Sequence, residues 1–245
     1  MTAARRVLLS VGVIAALIGA DQVDLLRPAL KETALASIPY GVTTVINTLG
    51  LVLLAMVVLL FGGREARPLA RLAGLTAPVA RPLLFALAIF VPATAIAFLI
   101  AKPASEISLY DQAFLSVIFP LMEEIGFRGL AIGALMRLGG WPFALAALAP
   151  AAVFGAAHMG QGDSAAEIAG VVAITGVGGL ILGWMFVRWG YNLWPAIFAH
   201  AGMNALWGIF DLGENAIGGW TGNALRLGVI AAAIGLTILM APKKE

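Results

Sequence analysis

Two adjacent carboxylates and an arginine, Glu123, Glu124 and Arg128, interrupt a stretch from Phe119 to Gly129 that is otherwise fit for lipid. An ionisable group at membrane depth costs several kcal/mol, roughly, so such groups are rare and face a polar interior. Glu124 and Arg128 are four positions apart and therefore share a helical face, where they can pair. Glu123 is turned about 100° from Glu124 on a helix of 3.6 residues per turn, so it points elsewhere. A carboxylate without a partner in an apolar setting is suited to take a proton from water. The chain's two histidines also sit on apolar segments: His158 ends Phe154-Gly155-Ala156-Ala157-His158, and His200 precedes Asn204 by one turn. Singly, each feature has a plainer reading. Glu124–Arg128 would be a packing pair, His158 an interfacial residue, and His200–Asn204 interhelical hydrogen-bond glue. Together they are nearly all the polar side chains at membrane depth, and one polar centre built by several helices accounts for them at once. A base, an imidazole and an amide donor are what hydrolysis without a covalent nucleophile requires. The chain has no cysteine and no serine within these motifs, which argues against an acyl-enzyme.

The elements that must hold this centre are membrane helices. Of 245 residues, 61% are hydrophobic and 11% charged, less than half the charge of a typical soluble domain, at about 25%. The class is all-α, a polytopic membrane helix bundle. Spans of roughly 20 apolar residues are expected near 7–20, 41–61, 82–101, 112–135, 143–158, 167–189, 193–210 and 224–241, about eight in all. The first, preceded by Arg5 and Arg6, has the outline of a signal peptide. Ile18 stands where a cleavage site needs a small residue, so a retained helix is expected. The linker 64–81 is basic, with a short interfacial helix expected within it. Pro92 predicts a kink in the third span. Glycines in the sixth, including Gly179-x-x-x-Gly183, predict close packing on a neighbour. The chain divides into N-terminal helices over 1–111, a core over 112–210 and a terminal helix and tail over 211–245.

Charge distribution sets the orientation. With a cytoplasmic N-terminus, ten of the basic residues fall inside and four outside, with Arg128 within a span. By the positive-inside rule, both termini are expected in the cytoplasm and the protein in a plasma (inner) membrane. A net charge of +2 gives no reason to expect nucleic acid as a partner.

Glu123-Glu124-x-x-Phe127-Arg128-Gly129, Phe154-x-x-x-His158 and His200-x-x-x-Asn204, in this order on successive apolar spans, resemble the CPBP family of intramembrane proteases. That family includes type II CAAX prenyl endopeptidases and the bacteriocin-processing or self-immunity (ABI) proteins. The resemblance covers about 112–206. It implies intramembrane endopeptidase activity on membrane-associated, prenylated or leader peptides. Glu123 and His158 would activate water, and His200 and Asn204 would stabilise the oxyanion. Glu124, Arg128 and Phe154 would support them. Many accounts describe the family as metalloproteases. Glu123, His158 and His200 would be adequate zinc ligands, but the His-Glu-x-x-His pattern of helical zinc hydrolases is missing, so no cofactor is favoured. The alternatives are a proton-coupled transporter using Glu123 and His158 as a relay, and a non-catalytic immunity scaffold of the same fold. The first should show a matching carboxylate in an inverted repeat, and none is found.

Overall fold

The computed structural model describes residues 1–104, 106, 108–213 and 217–242. Lys243, Lys244 and Glu245, placed by charge in a cytoplasmic tail, lie outside the described residues. Among the described residues eight longer helical stretches form the bundle: α1 (Ala3–Gln22), α2 (Gly41–Gly62), α3 (Ala80–Ile100), α4 (109–137), α5 (Phe143–Ala156), α6 (Ala165–Arg188), α7 (Trp194–Ile209) and α8 (Trp220–Met240). Among the described residues there is no strand, only an isolated bridge between Pro103 and Phe210. The basic linker contains a short helix, Leu69–Leu72, and α3 continues through Pro92.

Among the described residues six helices are long and apolar enough to cross a membrane by length and composition, and α4 and α7 are not among them. The physical reason is their position. α7 has 16 residues, and α4 carries Glu123, Glu124 and Arg128, yet no residue of 119–136 or 194–208 is exposed. These two stretches occupy the interior, while the first turns of α4 stay exposed at Leu109, Leu115 and Val117. The outer helices meet lipid with large apolar side chains such as Leu8, Val11, Met56, Leu60, Leu84, Phe98 and Leu239, as the absence of water in hydrocarbon requires.

α1 and α2 pack as a pair, as do α5 and α6; α4 lies between the two pairs, and α7 joins α4 to α3, which also carries α8. Small residues permit these approaches. A Cβ on Gly202 of α7 would fall 2.5 and 2.6 Å from Cζ and Cδ2 of Phe90 on α3, and one on Gly129 of α4 would lie 2.9 Å from the Ala73 Cβ. The glycines singled out on α6 pack as expected: Gly183 faces Ile132, while Gly179 faces Ala151 and leaves room for the Arg128 guanidinium.

The connections form two layers at opposite ends of the bundle. In one, Arg5 Nε donates to the Phe61 carbonyl at 2.6 Å, Arg137 Nη1 to that of Leu72 at 2.9 Å, Asn192 Nδ2 to that of Pro78 at 2.9 Å and Arg188 Nη1 to that of Pro242 at 3.0 Å. In the other, the Tyr40 hydroxyl donates to Asp111 at 2.7 Å, Tyr110 to the Pro39 carbonyl at 3.1 Å and the Asp211 amide to the Lys102 carbonyl at 2.9 Å. Tyr40 also stacks on Tyr110 and Phe114, fixing the start of α2 to the start of α4.

Candidate active site

The winding of α4 departs from the 3.6-residue period. Ala113–Ile118 and Glu124–Ile132 are wide, π-helical turns with i→i+5 bonding, a form seen mostly in short pieces and often at functional sites. Pro120 explains the first. The Phe119 amide bonds back to the Phe114 carbonyl, so in the same register the Leu115 carbonyl would need an N–H from residue 120, and proline has none. Asn204 on α7 fills the gap, its Nδ2 donating to the Leu115 carbonyl at 3.0 Å. The second wide turn carries Glu124 to Arg128.

The polar residues read from the sequence divide into two connected groups. Glu124 and Arg128 are buried, 0% and 1% exposed, with Arg128 Nη1 2.9 Å from Glu124 Oε1. The N–H directions miss the carboxylate, leaving Nη1, Nη2 and Glu124 Oε2 without hydrogen-bond partners, so the contact is ionic rather than an aligned hydrogen bond. The guanidinium lies 4.4 Å from the ring centre of Phe154, a cation–π contact made by a buried arginine. His200 completes the group: its Nδ1 is 2.8 Å from the same Glu124 oxygen. A carboxylate accepts, so Nδ1 carries the hydrogen, and Nε2 is the nitrogen turned to Glu123, 3.7 Å from its Oε2. Glu123 thus has a neighbour that helical spacing could not reveal.

Glu123 and His158 form the second group. His158 Nδ1 is 2.7 Å from the Phe154 carbonyl, which can only accept, so Nδ1 again carries the hydrogen and Nε2 keeps its lone pair in the neutral ring. The Phe154 ring centre lies 4.6 Å from that of His158 and 6.0 Å from that of His200. One buried aromatic therefore holds both imidazoles and the guanidinium.

Glu123, Phe154 and His158 line a cavity of about 390 Å³ between α1, α2, α4 and α5; His200 and Asn204 are not among its lining residues. Its other wall comes from α1 and α2, with Leu17, Asp21, Asn47, Gly50 and Leu54. The motifs, all within 112–206, place no site residue on this wall. One signal existed: Asn47 is the only asparagine in the first 110 residues, and it falls within an apolar span. Two anchors set its height. Tyr40 meets Phe114 and Phe119, and Leu51 Cδ1 lies 3.7 Å from where a Gly126 Cβ would stand. Asn47, one turn before Leu51, is therefore level with Met122 and Glu123. Among the described residues its side chain has no hydrogen-bond partner.

Among the described residues no three His, Asp or Glu side chains are grouped to hold a metal ion. His200 keeps Nε2 free of Glu124 but stands outside the cavity lining that Glu123 and His158 share. The arrangement does not fit the zinc set Glu123, His158 and His200.

Residues 105–206 match the family model described as Rce1-like type II CAAX prenyl endopeptidase. The match contains all three motifs and supports a membrane protease at the level of that family. No curated protein and no solved structure matches the chain.

Proposed function

We propose, from the match of residues 105–206 to the Rce1-like type II CAAX prenyl endopeptidase model, that the chain is an intramembrane endopeptidase of the CPBP family whose nucleophile is a water between Glu123 and His158. The observation that carries this reading is the shared cavity: a carboxylate from α4 and an imidazole following α5, with its Nε2 lone pair unused, line the same space.

Glu123 takes the proton as the water attacks the peptide carbonyl, a role worth typically about 10²–10⁴-fold. His158 Nε2 accepts a hydrogen bond from the same water and orients it. Glu123 then returns the proton to the leaving amine, with His200 Nε2 close enough to hold it in between. Glu124 fixes the His200 tautomer through Nδ1, and Arg128 balances the charge of Glu124. Stabilisation of the oxyanion needs a donor aimed into the cavity. Resemblance gives this part to His200 and Asn204. Asn204 donates to Leu115, so we assign the cavity donor to Asn47, whose amide is level with Glu123, and give Asn204 the work of seating α7 on α4.

The test uses purified protein in detergent or proteoliposomes with membrane-anchored peptides. Wild type should cleave, while Glu123→Gln and His158→Ala should lose at least 10²-fold. Wild-type rates in both variants would overturn the assignment. Activity should survive 1,10-phenanthroline; its loss, with recovery on adding zinc, would refute the metal-independent mechanism.

A further inference from the structure

We propose that the Glu123–His158 cavity opens on the extracytoplasmic face of the membrane, so that its substrate is a membrane-anchored peptide already moved across the bilayer. The proposal rests on the protease reading above and adds the side from which the substrate arrives.

Two independent features meet here. The first is the asymmetry of charge between the two layers of connections. The layer formed by 1–6, 61–81, 137–142 and 188–194 holds eight arginines and one acid, Glu65. The opposite layer, 21–40, 101–111, 158–167 and the segment around 211–226, holds eight described acids against Arg27, Lys31, Lys102 and Arg226. Lysine and arginine in short loops are retained in the cytoplasm, which assigns the arginine-rich layer to that side. The hydrogen bonds that tie each layer together, from Arg5 to Phe61 and from Tyr40 to Asp111, make the sorting a property of the fold as well as of sequence order.

The second feature is the direction of the cavity. Of its polar rim, Asp21, Asp24, Arg27 and Gln161 belong to the acidic layer, and Thr43 stands in the adjoining first turn of α2. Its lining on α2 extends no further toward the arginine-rich layer than Leu54, and no residue of that layer lines it. The rim is a tied structure: Arg27 bonds Asp24 at 2.8 Å through Nε and reaches Thr43 of α2 at 3.2 Å, closing the end of α1 over the head of α2. A peptide can therefore reach Glu123 past Asp21 and Gln161, while the arginine-rich end is packed shut by α4 residues 128–135, all of them buried.

This geometry selects a substrate class. A prenylated C-terminus is made in the cytoplasm, and its free carboxylate keeps it on that leaflet because a charge crosses hydrocarbon at high cost. A leader or anchor segment left in the membrane after translocation presents its peptide bonds to the acidic layer directly.

The chain has no cysteine, so sidedness can be read without altering the native background. Gln161→Cys and Asp21→Cys at the rim, and Arg67→Cys in the opposite layer, would each be expressed in bacterial cells and treated with a membrane-impermeant maleimide. Both rim positions should label in sealed cells, and Arg67→Cys only after permeabilisation. The reverse pattern, or equal labelling of both layers before permeabilisation, would overturn the proposal. Labelling does not depend on cleavage, so an inactive preparation bears on the protease reading and leaves this result standing.

Discussion

Replacing Arg128 by methionine separates the scaffold of the site from its chemistry. The methionine stem fills much of the same volume while removing the charge 2.9 Å from Glu124. With Glu124 fully buried, removing one partner of such a pair costs about 3–5 kcal/mol, and the contact with Phe154 at 4.4 Å adds up to about 2 kcal/mol when desolvated. His200, still 2.8 Å from Glu124, offsets part of this, so the expected loss stays near 3–5 kcal/mol. For a chain of this size a loss of 1 kcal/mol lowers Tm by about 2–4 °C, so Arg128→Met should fall by roughly 6–20 °C in a detergent melt. Neutralising both partners is often close to neutral, and Arg128→Met/Glu124→Gln should recover most of the stability. Activity should not recover with it, because the amide that replaces the Glu124 carboxylate offers His200 a weaker acceptor and no counter-charge. A double variant no more stable than the single one would show that the pair is not coupled. Recovery of full activity would show that the tautomer of His200 does not matter to the reaction.

Four further outcomes follow from the surroundings of named residues. Asn47→Ala should lower kcat/KM by about 10²–10³-fold, the usual effect of losing an oxyanion donor, with Tm unchanged; a wild-type rate would return that role to α7. Gly202→Ala forces a methyl into the Phe90 ring and should destabilise by about 1–3 kcal/mol in a thermal or denaturant assay. Gly178→Ala, with nothing within 4 Å of the added Cβ, should be neutral or slightly stabilising. Asp111 is held below the usual carboxylate range first by the Ser108 hydroxyl and then by the Tyr40 hydroxyl. The stability this confers is complete above the unfolded carboxyl pKa of about 3.9 and is lost as pH falls through the lower folded value. Asp111→Asn should therefore flatten the acid limb of a plot of Tm against pH, and an unchanged limb would refute the link.

Six of the helices were legible in the sequence because hydrocarbon imposes a length and an apolar composition that each displays alone; α4 and α7, expected as two further spans, are helical but lack that signature. The expected spans and the observed helices differ by only a few residues at their ends. The motifs were legible for a related reason: Glu123, Glu124, Arg128, His158, His200 and Asn204 are polar where polarity is costly. What each of them touches was not. Helical spacing gives neighbours at three and four positions along one chain segment, and it found Glu124 with Arg128. It could not find His200 beside both glutamates, since its contact with Glu124 spans 76 residues. Nor could it show that Pro120 leaves the Leu115 carbonyl for Asn204, because that depends on the wide turn of α4. The second wall of the cavity was the largest omission. Asn47 is an ordinary amide in an apolar run until α1 and α2 close against α4 and α5. Local composition settles the solvent, the helical class and the kinds of chemical group present, and all of these can be read along the chain. Which groups share a cavity, and at which end it opens, are matters of distance between helices, and those distances exist only once the helices have packed.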